Sequence, residues 1–119
     1  MWLHRLARCA LVAFAFALAP IESTAAASLI MVDWAACPHC QRFHREVEPG
    51  YSADPAGRRA ALRRVNVLRS WPSDLRGIRR AHAAPVFILV DNGHEIGRFS
   101  GYGGRALFWR NLNILLSRM

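Results

Sequence analysis

Two cysteines three residues apart, Cys37 and Cys40, lie in "DWAACPHCQRF", where an apolar run gives way to a helical pattern. At i and i+3 on a helix start, two thiols can close a disulfide within one turn. The first thiol then sits where free backbone N–H groups and the helix dipole stabilise an anion, so Cys37 is expected to be the thiolate and nucleophile. Cys40, one turn deeper, is expected to be buried and to attack second. His39 can add positive charge or a hydrogen bond to the Cys37 thiolate. Asp33, four residues before Cys37, can relay a proton to or from Cys40, or stand as a solvated acid at a strand end. Trp34 can wall the site or simply pack. A zinc site is the competing chemistry: Cys37, Cys40 and His44 share one helix face, and His82 or His94 would have to supply a fourth ligand. Structural zinc takes its ligands from separate segments and nothing fixes the fourth here, so no metal is expected.

The N-terminus decides what the cysteine pair is for. Arg5 and Arg8 precede the apolar run "CALVAFAFALAP", and small residues follow in "STAAAS". A basic start, a short apolar core and a small-residue site describe a secretory signal peptide over residues 1–27, cleaved after Ala25 or Ala27. Cys9 leaves with it, and the mature domain, residues 28–119, keeps only the Cys37–Cys40 pair. A ring this small removes little chain entropy, so redox chemistry explains the pair better than stapling does. The formal net charge is +8, with no lysine; beyond Ala27 fourteen arginines face seven acids. No basic block is interleaved with aromatics as a single-strand binder requires, and nucleic acid is not expected as a partner.

The elements that must hold the site follow from periodicity. "SLIMVDW" reads as a buried strand. A helix starts at Pro38, whose missing N–H costs nothing in a first turn, and stops at Pro49-Gly50. "YSADPAGRR" is a loop with at most one helical turn, and "LRRVNVL" is a second strand. Pro72-Ser73 opens a second helix with Leu75 and Ile78 inward. "APVFILV" suits a central strand covered on both faces. Asp91-Asn92-Gly93 marks a hairpin to "EIGRFS", and "RALFWRNLNILLSRM" closes the chain as an amphipathic helix. The expected fold is α/β: a four-stranded mixed sheet, three parallel strands plus one antiparallel edge strand, flanked by three helices.

A C-x-x-C at a strand-to-helix junction with a proline opening a later central strand resembles the thioredoxin superfamily in its minimal form. "LIMVDWAACPHC", "APVFILVDNGHEIGRFSGY" and "FWRNL" look most like the small periplasmic SoxS-type thioredoxins of bacterial sulfur-oxidation clusters. The resemblance implies that Cys37 attacks and Cys40 resolves. It makes Pro85 the family's cis-proline, which helps seat the substrate chain with Ala84 and Trp34. It implies a thiol–disulfide oxidoreductase with no cofactor beyond the redox-active disulfide Cys37–Cys40. The partners it implies are a periplasmic protein disulfide of sulfur oxidation and a membrane thiol-reducing transporter as electron donor. A DsbA-type oxidant and a redox-sensing binding module are the alternatives. Three departures bear on the direction of electron flow: Ala36 where cytosolic thioredoxins carry an aromatic, Pro38-His39 between the cysteines as in DsbA, and Ala84 where many relatives place Thr, Val or Ile.

Overall fold

In the computed structural model, residues 12–17 and 27–119 are described. The Ala25 cleavage site and most of the expected signal peptide lie outside them. The order is β1 (Ala27–Asp33), α1 (Pro38–Glu46), a 3-10 turn (Glu48–Ala53), α2 (Pro55–Arg59), β2 (Ala60–Asn66), a second 3-10 turn (Ser73–Leu75), β3 (Val86–Asp91), β4 (His94–Ser100) and α3 (Arg105–Leu116). The sheet order is β2-β1-β3-β4.

Alternation along the strands divides the core in two. Leu29 and Met31 of β1 and Phe87 and Leu89 of β3 face α1 and α3, where they meet Cys37, Cys40, Phe43, Phe108 and Leu112. Ile30, Val32, Val86, Ile88 and Val90 face the other way, under Leu75, Ile78 and Ala81 of the long connection. Every residue of β3 from Val86 to Val90 is buried, as a continuous apolar run in a central strand requires. The hairpin to β4 turns on Asn92 and Gly93, both at positive φ (50° and 77°), the pair of left-handed conformations that a two-residue turn of this hand demands.

Two expectations are corrected. Only β1 and β2 are parallel; β3 runs antiparallel to β1, and β4 antiparallel to β3. The reason lies in where the connection ends. β2 finishes at Asn66 beside Asp33, and β3 begins at Val86 beside Val32, so residues 67–85 leave and return at the same end of the sheet. A strand entered from that end can only run back against β1. The helix expected from Pro72 is likewise a single 3-10 turn. The Leu75 carbonyl accepts from Ile78 N–H at 2.8 Å and from the Trp71 indole at 2.8 Å, so no i+4 ladder propagates, and Gly77 follows at once. The three apolar side chains Leu75, Ile78 and Ala81 cover the sheet as an irregular strap.

The helical turn near "ADPAGRR" is real: Asp54 caps α2 by accepting from Ala56 N–H at 2.8 Å, and Pro55 takes the first helical position. Gly57 is required there, since a Cβ would lie 1.8 Å from the Tyr51 carbonyl oxygen.

Candidate redox site

The site gathers at the C-terminal end of β1. Asp33 is its last residue, and a tight turn closed by Cys37 N–H on the Trp34 carbonyl (3.1 Å) delivers the chain to α1. Cys37 is the N-cap residue and Pro38 the first helical residue. Cys37 and Cys40 form a disulfide, with Cα atoms 5.2 Å apart. The Cys37 sulfur accepts from the Cys40 backbone N–H at 3.1 Å, one of the otherwise unpaired donors of the helix start. Cys37 retains 5% exposure and Cys40 none, which orders them as outer and inner sulfur.

The opposite wall is the loop entering β3. The Ala84–Pro85 bond is cis. Ala84 packs on the core cluster that contains both cysteines, and the Pro85 carbonyl accepts from Gly101 N–H at 2.8 Å. Two clefts flank the dithiol. One, of about 370 Å³, is lined by Trp34, Val67, Leu68, His82, Ala83 and Ala84. Trp34 and Leu68 are 41% and 70% exposed, large apolar surface beside a reactive pair. The other cleft, of about 350 Å³, has His39 on one side and Gly101, Tyr102, Leu107 and Asn111 on the other. His39 is exposed and makes no hydrogen bond to the Cys37 sulfur.

Asp33 does not stand free in solvent. One carboxylate oxygen accepts from Trp34 N–H at 2.8 Å, and the other lies 3.0 Å from His44 Nε2. His44 Nδ1 lies 2.5 Å from Glu48, whose second oxygen is held by Arg64 of β2. Sequence reading weighed His44 as a zinc ligand; it bridges two carboxylates instead. Among the described residues no cluster of three or more His, Cys, Asp or Glu side chains could hold a metal. The His44–Glu48 spacing of i, i+4 was the available signal, although it cannot reveal Asp33 as the other partner. Leu68 was also missed, and His82 was weighed only as a zinc ligand, because their place at the site depends on the path of the strap.

No protein-family model and no curated protein matches the chain. Among solved structures it is similar to the crystal structure of the periplasmic thioredoxin SoxS from Paracoccus pantotrophus in its reduced form. The two share 30% identity, with a TM-score of 0.72, over 77% of this chain and 97% of that one. The chain belongs to the SoxS-like thioredoxins. As such a thioredoxin it is a thiol–disulfide oxidoreductase, and the Cys37–Cys40 pair is its redox centre.

The carboxylates that hold this thioredoxin's surface together give it a pH signature. Burial works against the Glu48 carboxylate, but hydrogen bonds from Arg64 and His44 outweigh it and lower its pKa. The Arg63 hydrogen bond lowers Asp74, and that from Arg98 lowers Glu95. A depressed folded-state pKa contributes stability above the unfolded value and loses it as pH falls through the folded one. Denaturant midpoints are therefore expected to hold at neutral pH and to fall below the ordinary glutamate value of 4.5. A midpoint unchanged well below that value would show these pairs to be thermodynamically idle.

Proposed function

We propose that this SoxS-like thioredoxin works in the periplasm as a reductant, keeping the cysteines of a sulfur-oxidation partner reduced and drawing its own electrons from a membrane thiol transporter. The observation that carries the reading is the buried Cys37–Cys40 pair at the start of α1, facing the Ala84–Pro85 loop, in a chain that matches 97% of the length of a periplasmic SoxS. The signal-like N-terminus supports export. Because β1 begins at Ala27, buried and paired with Ala60, cleavage after Ala25 leaves that strand whole.

In the reaction the Cys37 thiolate attacks one sulfur of the partner's disulfide and the other sulfur leaves as a thiolate, giving a mixed disulfide. Cys40 then attacks Cys37, the mixed disulfide breaks, and the partner departs with both thiols reduced. The Cys40 thiol gives up its proton to Asp33, which lies on the same face of β1 as Met31, the face packed against Cys40. Trp34 and Ala84 line the cleft for the partner chain. Neither backbone group of Ala84 has a hydrogen-bond partner among the described residues, which leaves that edge free to pair with an extended segment.

The reduction potential tests the direction. His39 and the helix start favour the Cys37 thiolate and pull towards the oxidising end, whereas the SoxS likeness argues for reduction. The expected potential is on the order of −200 mV, between thioredoxin near −270 mV and DsbA near −120 mV. Replacing Pro38-His39 with Gly-Pro is expected to make it more reducing. Equilibration against glutathione buffers measures both. A wild-type value near that of DsbA overturns the reductant reading in favour of a disulfide-forming oxidant.

A further inference from the structure

The contacts of His44 carry a role that the position of the cysteines alone does not suggest. Its two ring nitrogens face two carboxylates, Asp33 at 3.0 Å from Nε2 and Glu48 at 2.5 Å from Nδ1. An ionised carboxylate only accepts, and a neutral imidazole donates from one nitrogen alone. Both hydrogen bonds form together only when the trio holds one proton beyond two carboxylates and a neutral ring. The groups around that proton come from every neighbouring element: Asp33 from β1, Glu48 from the 3-10 turn, Arg64 from β2 on the far oxygen of Glu48, and Gln41 from α1 lining the same cleft. The three that share it are partly shielded, with side-chain exposures of 22% for His44, 17% for Asp33 and 26% for Glu48.

His44 also stands one helical turn after Cys40. Residues at i and i+4 are neighbours on a helix surface, and helical side chains lean back towards the N-terminus, here towards Cys40. The solvent-open cleft of about 410 Å³ lined by Asp33, Trp34, Gln41, His44, Arg64 and Asn66 gives Asp33 access to water.

We propose that His44, held by Glu48 and Arg64, is a positioning residue for Asp33, fixing its carboxylate as the acceptor of the Cys40 proton in the resolving step. This rests on Asp33 having that role in the reaction above. In the step, the Cys40 sulfur forms a bond to the Cys37 sulfur, and its proton passes to an Asp33 oxygen. The bond between Cys37 and the partner's sulfur breaks, with its electron pair leaving on that sulfur as a thiolate. Asp33 returns the proton to water in the cleft. Trp34 N–H on one Asp33 oxygen and His44 Nε2 on the other fix the carboxylate's plane before Cys40 attacks.

A chromogenic aromatic disulfide separates the two half-reactions. Mixed with the reduced protein, it releases one coloured thiolate when Cys37 attacks and a second when Cys40 resolves. Stopped-flow traces of wild type, Asp33→Asn, His44→Gln and Glu48→Gln are compared from mildly acidic to mildly basic pH. Asp33→Asn is expected to slow the second phase about a hundredfold. His44→Gln is expected to slow it about tenfold and to move its acid limb to higher pH, with the first phase unchanged. A purely structural role for His44 moves neither the limb nor the ratio of the phases. If His44→Gln unfolds by near-UV circular dichroism, Glu48→Gln, which leaves the His44–Asp33 contact in place, carries the test with a smaller shift in the same direction. A wild-type second phase at every pH in the folded variants overturns the proposal while Asp33→Asn still slows. An Asp33→Asn second phase at the wild-type rate instead overturns the Asp33 role on which it rests.

Discussion

Cys37→Ser is expected to abolish disulfide exchange, with turnover falling on the order of a thousandfold or more to the uncatalysed rate, because the attacking sulfur is gone and no other group at the site replaces it. Cys40→Ser has a different outcome. The first attack proceeds, but nothing resolves it, and the protein accumulates as a mixed disulfide through Cys37. The asymmetry follows from the outer and inner positions of the sulfurs and from the Cys40 N–H, which is aimed at the Cys37 sulfur and stabilises its anion. Intact-mass measurement after incubation with an oxidised peptide reads both results. A stable adduct on Cys37→Ser, or none on Cys40→Ser, reverses the assignment of the two thiols.

Phe43→Ala is expected to be the most damaging substitution to the fold. Phe43 is fully buried, and its ring centroid lies 5.0 Å from Phe87 and from Phe108 and 5.7 Å from Tyr102. It thereby ties α1 to β3, to α3 and to the loop before α3. Removing a buried phenylalanine costs about 3–5 kcal/mol, against a typical domain stability of about 5–15 kcal/mol. For a domain of this size each kcal/mol moves Tm by about 4–8 °C, so a fall of roughly 12–40 °C is expected in a thermal melt. A fall of only a few degrees would show that the aromatic rings repack around the space. Because Phe43 lies between Cys40 and His44 on α1, the same change is expected to loosen the redox site before the chain unfolds.

What could be read from the chain alone divides along a physical line. The cysteine pair, Pro38, the buried run of β3 and the Asn92-Gly93 hairpin are local signals: each depends on a few consecutive residues and a fixed backbone requirement. They placed the redox pair at the strand-to-helix junction, the buried strand β3 and its antiparallel hairpin to β4. The direction of β3 was not legible, because alternation and burial read the same in a parallel and an antiparallel central strand; only the path of residues 67–85 decides it. Leu75 and Ile78 carried helical spacing for a non-helical reason, since three-residue spacing also suits a strap crossing a twisted apolar sheet. His44 shows the same limit at the site. Its bond to Glu48 is local, whereas its bond to Asp33 joins two elements eleven residues apart, and only the packing of α1 on β1 brings them together.

β1 enters the sheet at Ala27 and reaches the dithiol end only at Asp33. Seven extended residues span roughly 20 Å. β1 therefore starts at the pole of the sheet opposite the cysteines. A label or support coupled at Ala27 would stand a full strand's length from the dithiol and leave it open to a partner.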